Sequence, residues 1–474
     1  MLKSLNYIKI SLLKQNKGVF MLGWIIKKED ADYILDLPKL SEDEQKVVYG
    51  VEELFKEASK YGDIDSKEKA KKKLKSLITL HLKDLKIMAD EDQINYLTEI
   101  STAHIFGFGF LDKLLNDDEI EEIGIIGLNT PVYIYLRNKG WQRTNGYFTD
   151  IELVIDIINK MARQLGRRIT YQSPRLNAVL PNGARLHASI PPISKVELTI
   201  RKPKENPMTV FDLIKYKTIN EEALSLIWLL MQSDLSVLIS GNTASGKTTT
   251  LNSIFSFIPL TERILITEET PEINIPHFHK VNMVSNAELG ITISSLVSDN
   301  LRMRPDRVIV GEVRNEEEVQ ALIDTILSGQ ARGSYATFHA QSSKETLRRL
   351  HSLGVLDIDL QSIDLIIVQR RMMKYDVKTR EIKEIRRIIE ISEVDKESSM
   401  KTQNLFEYDY EKDGLIQVYK NSKLLEQVRK SLGLTKKELE DELKARTEFL
   451  KKFKKENINF NESVNEIQKF AFKK

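Results

Sequence analysis

The sequence contains no cysteine. Disulfide frameworks, cysteine-ligated zinc, iron–sulfur clusters and thiol nucleophiles are excluded together, so any chemistry must use oxygen and nitrogen groups. Long hydrophobic runs are missing too: a membrane span needs roughly 18 apolar residues. The longest candidates are Val19 to Ile26, which is too short, and Ala223 to Gly241, which Gln232, Ser233 and Asp234 interrupt. Gln15, Asn16 and Lys17 split the apolar content of the amino terminus, so no cleaved signal peptide is expected and a cytoplasmic protein is. Neither sign of charge is in excess, with 71 Lys+Arg against 69 Asp+Glu and a net charge of +2, and aromatics are only 7%. A uniformly basic nucleic-acid binder with stacking aromatics does not fit that balance.

What is present is length and core-forming composition. The 474 residues, 41% of them hydrophobic, suggest about three domains at roughly 150 residues each. The pattern predicts a helical amino-terminal region over 1–109, an α+β domain over 110–202 and a linker over 203–217. An α/β domain follows over 218–390, then a mainly helical extension over 391–474. Ser41 to Glu44 and Thr435 to Glu438 have the capping-box pattern ahead of apolar residues at helical spacing. A helix carrying Asp117, Asp118, Glu119, Glu121 and Glu122 should precede strands Ile123 to Ile126 and Val132 to Leu136. Consecutive helical carboxylates point around the axis, so these five are assigned no metal. The segment Lys67 to Lys86 holds eight lysines against Glu68 and Asp84, a local excess of +6. It suggests a membrane surface or acidic partner, although a solvated helix face is the commoner origin of such a run. Pro203 to Pro207 disfavour helix and mark the linker.

Beyond the linker, the strand candidates Leu235 to Ser240, Arg263 to Thr267, Arg307 to Val310 and Ser334 to Phe338 alternate with helical stretches. This is the rhythm of a parallel sheet covered by helices. Directly after the first strand stands Gly241-Asn242-Thr243-Ala244-Ser245-Gly246-Lys247-Thr248, with Thr249 next and a helix through Leu251, Ile254 and Phe255. Glycines at those positions let backbone N–H groups wrap phosphate oxygens at a helix amino terminus. Lys247 reaches the β and γ phosphates, and the Thr248 hydroxyl suits Mg²⁺. A bound nucleoside triphosphate still needs a carboxylate beside its terminal phosphate. The strand Arg307 to Val310 ends in Gly311-Glu312 on the same edge of a parallel sheet, which makes Glu312 the general base or the group that orients the attacking water. Glu268, Glu269 and Glu272 follow another strand, and His339 a fourth. His339 either contacts the γ-phosphate or Glu312, or is a satisfied structural histidine.

Four stations, Gly241 to Thr248, Glu268 to Glu272, Gly311 to Arg314 and Thr337 to Ala340, resemble the Walker A, Asp-box, Walker B and His-box of the type II/type IV secretion ATPase superfamily. Asp117 to Ile123, Leu180 to Arg185 and Thr199 to Lys202 are similar to pieces of its amino-terminal domain. The tail from Ile388, with Asn404 to Asp409, is most similar to the archaeal pilus and archaellum branch. The resemblance implies a RecA-like P-loop ATPase domain behind the α+β domain, ATP and Mg²⁺ as ligands, and a homo-hexameric ring. It also implies a polytopic membrane platform protein as partner, with pilin-like or archaellin-like subunits engaged indirectly. Such a protein is cytoplasmic and peripheral to the membrane, and no nucleic acid is expected as a partner. Arg185 and Arg201 match arginines that approach the phosphates, a role that suits a planar, permanently charged fork. Two positions depart from the pattern. Glu269 stands where Asp is usual, which leaves Glu268 and Glu272 as the stronger candidates. Gln330 replaces a histidine, so only His339 is carried over. His277 and His279 have too few companions for a zinc module. A RecA-like nucleic-acid motor and a nucleotide-gated scaffold without turnover are the competing functions, and Glu312 argues against the second.

Overall fold

Apolar and β-branched residues on both sides of Gly23 favour a hairpin over a helix in Gly18 to Lys27. The computed structural model has one there, strand β1 (Gly18–Met21) antiparallel to β2 (Trp24–Lys27), with Gly18 opposite Lys27. The first hundred residues are therefore not wholly helical. The structure describes residues 18–21, 24–27, 31–35, 40–59, 67–136, 139–202, 207–286, 289–300, 302–398, 400–453 and 458–472. Gln15 to Lys17 and 203–206 of the expected linker lie outside them. Two compact units divide the chain, Met1–Lys204 and Glu205–Lys474.

In the first unit, helices α1 (Glu42–Ser59), α2 (Lys67–Asp84) and α3 (Glu91–Phe106) enclose Val47, Val48, Val51, Phe55, Leu74, Ile78 and Leu97. The cap at Ser41 forms reciprocally: its amide donates to Glu44 Oε2 at 2.7 Å, and the Glu44 amide to Ser41 Oγ at 3.3 Å. Ala70, Leu74, Ile78 and Leu82 of the lysine-rich α2 are buried in this bundle, and Lys71 and Lys75 pair with Glu99 and Glu91 of α3.

The short helix α4 (Leu111–Leu115) stops before the acidic cluster. Asp117 turns the chain there, its Oδ1 accepting the Glu119 amide at 3.0 Å and its Oδ2 the Tyr33 hydroxyl. Glu121 and Glu122 consequently lie on β3 (Ile120–Ile125) and not on a helix. An antiparallel sheet is completed by β4 (Pro131–Leu136), β5 (Gly140–Phe148), β6 (Arg175–Val179), β7 (Arg185–Ser189) and β8 (Glu197–Arg201). Its order is β1-β2-β5-β4-β3-β8-β7-β6. Helix α5 (Ile151–Ala162) adds Val154, Ile157, Ile158 and Met161 to the core under this sheet.

The second unit begins with α6 (Val210–Lys215) and α7 (Glu221–Met231); α6 lies inside the expected 203–217 linker, where Val210, Phe211, Leu213 and Ile214 are apolar enough to join the core. Its sheet is built on β9 (Val237–Gly241), β10 (Ile264–Glu268), β11 (Lys280–Val284), β12 (Arg307–Val313), β13 (Gly333–Phe338) and β14 (Leu365–Asp376), in the order β11-β10-β12-β13-β9-β14, all parallel. Near-continuous apolar strands are what a sheet buried on both faces requires. Leu238, Ile239, Ile266, Ile309, Val310 and Ala336 accordingly sit in one core. The sheet does not end at residue 390: β15 (Glu381–Val394), β16 (Thr402–Asp409) and β17 (Gly414–Gln417) extend it antiparallel. The tail becomes helical only afterwards. Its last helices fold back on the unit, with Phe449 and Phe470 against Trp228 and Phe453 against Phe211. Its apolar spacing thus serves the core of its own unit.

At the edge where strands β12 and β13 begin, Arg307 is fully buried. It donates to Glu262 Oε2 at 2.7 Å, to the Ser233 carbonyl at 2.7 Å and to the Tyr335 hydroxyl at 3.0 Å. A buried guanidinium needs that many partners. The opposite edge, where the parallel strands end, is left for chemistry.

Candidate functional site

Strand β9 runs into helix α8 (Lys247–Ile254) through the loop 241–246. Ala244 and Gly246 take left-handed backbone angles, φ 59° and 96°, which turns successive amides inward. Gly241 is required by crowding. A Cβ there would stand 2.0 Å from the carbonyl oxygen of Gln369, its register partner on β14. Gly241→Ala should therefore lower the melting temperature, through about 1–3 kcal/mol of overpacking against backbone; an unchanged thermal melt would contradict this packing. Within the loop, Ser245 Oγ is buried without a hydrogen-bond partner, a polar atom left for a ligand. Thr243 is exposed, and the Thr249 carbonyl accepts the Ser253 hydroxyl at 2.9 Å.

Lys247 is buried and its ammonium bridges the carbonyls of Gly241 and Asn242 at 3.2 and 3.3 Å. Burial pushes its pKa down, opposed by the charges of Glu312 and Glu272. The Thr248 hydroxyl donates to Glu272 Oε2 at 3.2 Å, placing two hard oxygen donors at the first turn of α8. That set fits Mg²⁺, which takes few protein ligands and completes its shell with water and phosphate oxygens.

Glu272 is held by Glu268. The Glu268 carboxylate, only 3% exposed, accepts the amides of Glu272 and Ile273 through Oε1 at 2.8 and 2.9 Å. Glu268 thus anchors the turn that presents Glu272. Across the sheet, β12 bulges between Val310 and Val313 where it pairs with β13, and the extra residue re-aims Glu312. Glu312 Oε2 accepts Arg314 Nε at 2.9 Å and also Nη2, while Oε1 meets His339 Nε2. Arg314 reaches on to Glu269. Burial works to raise the Glu312 pKa, but the Arg314 hydrogen bond and the charges of Arg314, His339 and Lys247 outweigh it and hold the carboxylate below its usual range.

The structure brings together Lys247, Thr248, Glu268, Glu272, Glu312 and His339. Gln330 is exposed and precedes the start of β13, the end remote from His339. Arg185 and Arg201 belong to the first unit, where they are register partners on β7 and β8. His277 is buried, and burial pushes its pKa down to about 4. Among the described residues no group of three or more His, Asp or Glu could hold a metal ion.

Sequence reasoning missed Arg314, although it stood two residues from Glu312. It also missed the β14–β15 side of the loop. Asn242 Oδ1 accepts the Arg371 amide at 2.9 Å, and its Nδ2 donates to the Arg371 carbonyl at 3.1 Å. Arg386 Nε donates to the Ala244 carbonyl at 3.0 Å, and the Thr250 hydroxyl to Gln369 Oε1 at 2.7 Å. The only signal was the polar Gln369-Arg370-Arg371 ending the apolar run of β14.

An uncharacterized protein of Methanocaldococcus jannaschii is 34% identical over 322 residues, 60% of this chain; the chain spans only 44% of that relative's length. Protein VirB11 of Rhizobium radiobacter is 28% identical over 277 residues, covering 50% of this chain and 78% of its own. The X-ray structure of the Legionella pneumophila ATPase DotB superposes with a TM-score of 0.45 at 18% identity, over 77% of this chain and 90% of that one. The family model described as "Type II/IV secretion system protein" matches residues 128–467, well over half the chain. This protein belongs to the type II/IV secretion system protein family.

Proposed function

We propose that the chain is an ATP-hydrolysing motor of a type II/IV secretion machine, of the archaeal pilus-like or archaellum-like kind. The observation that carries this reading is the strand–loop–helix that sets Thr248 and the buried Lys247 at the first turn of α8, with the Thr248 hydroxyl on Glu272. The loop amides and Lys247 bind the triphosphate. Thr248 and Glu272 would hold Mg²⁺, which neutralises charge on the β and γ oxygens. Glu312 takes the proton of, or orients, the attacking water. In the described state both its oxygens are engaged, by Arg314 and His339. An arriving γ-phosphate competes for those two groups and frees the carboxylate, so the Arg314 and His339 contacts to Glu312 register the nucleotide. Glu268 is a positioning residue for Glu272. Arg185 and Arg201 supply positive charge to the transferred phosphoryl group. ATP hydrolysis then drives a domain motion that the machine converts into assembly or export.

The working form is a cytoplasmic homo-hexamer at the membrane face. It drives a polytopic platform protein and, through it, pilin-like or archaellin-like subunits. No helix among the described residues is long and apolar enough to cross a membrane.

Phosphate release by the purified chain, measured with Mg²⁺ and ATP and with and without single-stranded DNA, tests the reading. Turnover that DNA leaves unchanged supports it. Strong DNA stimulation favours a nucleic-acid motor, and binding without turnover a gated scaffold. Arg185→Ala should keep its melting temperature and lose turnover by about 10³-fold or more, the scale of an arginine that meets transition-state charge. An unaltered rate would remove that arginine from the chemistry.

A further inference from the structure

We infer that the face of the β14–β15 ribbon beside the phosphate loop is the platform for the nucleoside end of the nucleotide, with Arg371, Arg386 and Met373 receiving base and ribose. The inference rests on the reading of the loop as an ATP site and adds what selects ATP over bare triphosphate.

Strand order defines the two flanks of the loop. Strands β13 and β12 lie on one side of β9 and carry His339 and Glu312 at their ends; β14 lies on the other. The reacting end of the triphosphate belongs with Glu312, so the nucleoside end leaves across β14. That strand outruns its neighbour. It pairs with β9 only from Leu365 to Gln369 and continues with β15 as a ribbon to Asp376 and Glu381. Register places Arg371 opposite Arg386, Met373 opposite Glu384 and Tyr375 opposite Ile382, all on one face, since side chains alternate along a strand.

This face touches the loop. Arg386 donates to the Ala244 carbonyl, and its Cδ would lie 3.9 Å from a Cβ at Gly246. Glu384 bridges the two arginines, Oε1 to Arg386 Nη2 at 3.0 Å and Oε2 to Arg371 Nη1 at 3.6 Å. The guanidiniums are thereby held in place while Arg371 stays 40% and Arg386 31% exposed. Met373 is 69% exposed, and at two residues beyond Arg371 it stands about 7 Å further along the strand, a step comparable to the reach of a ribose and base. Planar guanidiniums stack on a base and a thioether adapts to one. With one carboxylate already neutralising one arginine, the face is built for a nucleoside more than for a further phosphate.

The test is displacement of a fluorescent ATP analogue from the full chain by ATP and, separately, by inorganic tripolyphosphate. In the double variant Arg371→Ala, Met373→Ala the backbone bonds to Asn242 are kept. ATP should bind about tenfold more weakly while tripolyphosphate stays within about twofold of the parent chain. Met373→Ala alone, at an exposed position, should show the same sign with a smaller loss. Equal weakening of both ligands would make the arginines phosphate ligands and overturn the platform, as would unchanged ATP affinity in both variants. A parent chain that binds neither ligand would instead overturn the ATP reading itself.

Discussion

Glu312→Gln should bind ATP as the parent chain does and hydrolyse it about 10²- to 10⁴-fold more slowly, the usual contribution of a positioned base. The amide keeps the shape of the carboxylate but cannot take a proton, and it offers one acceptor oxygen where Arg314 and His339 now engage two. Glu269 continues to pair with Arg314, so the local fold survives. The parent chain's pH profile follows from the same contacts. Burial pulls the Glu312 pKa up, the Arg314 hydrogen bond with the Arg314, His339 and Lys247 charges pulls it further down, and the net direction is downward. The base is therefore ionised at every pH above the ordinary carboxylate range. Activity should fall on the acid side only below that range, as far as Glu312 controls it. Single-turnover phosphate release beside labelled-ATP binding separates the two steps. Parental turnover in Glu312→Gln would take Glu312 out of the reaction.

The phosphate loop was legible because its spacing is set by local physics: an apolar strand, glycines for left-handed turns, a lysine and a hydroxyl at the first helical turn. Glu312 was legible because a parallel strand ending in Gly-Glu must open on the same edge. Tertiary contact decided the rest. Nothing in Glu268 and Glu272 as neighbours in sequence says that one is buried holding the amide of the other. Arg314, Arg371 and Arg386 look like surface arginines until register puts them against Glu312 and the loop. The misplaced elements have similar causes. Glu121 and Glu122 favour helix, but Ile120 and Ile123 pair across to Leu136 and Ile134 and pull them into strand. The charged tail hides β15 to β17, whose apolar residues alternate too irregularly to separate from helix before the sheet edge is seen.

Lys247→Ala should weaken ATP binding by about 10²- to 10⁴-fold. Charge-assisted hydrogen bonds contribute about 1.5–3 kcal/mol each. An ammonium shared between β and γ phosphates makes two, about 3–6 kcal/mol, with tenfold in affinity for each 1.4 kcal/mol. The side chain is prepared for that exchange. It is already buried, and it now holds only two long contacts to the carbonyls of Gly241 and Asn242. Incoming phosphate oxygens replace neutral acceptors by charged ones, which are about twice as strong. Alanine also removes a positive charge that offsets those of Glu312 and Glu272, so whatever triphosphate still enters meets less compensated carboxylates. The melting temperature should change little, because the alanine variant no longer carries the cost of burying an ammonium. Titration calorimetry with ATP, read beside a thermal melt, decides it. Unchanged affinity in a folded Lys247→Ala chain would mean that the loop 241–248 does not hold the phosphates.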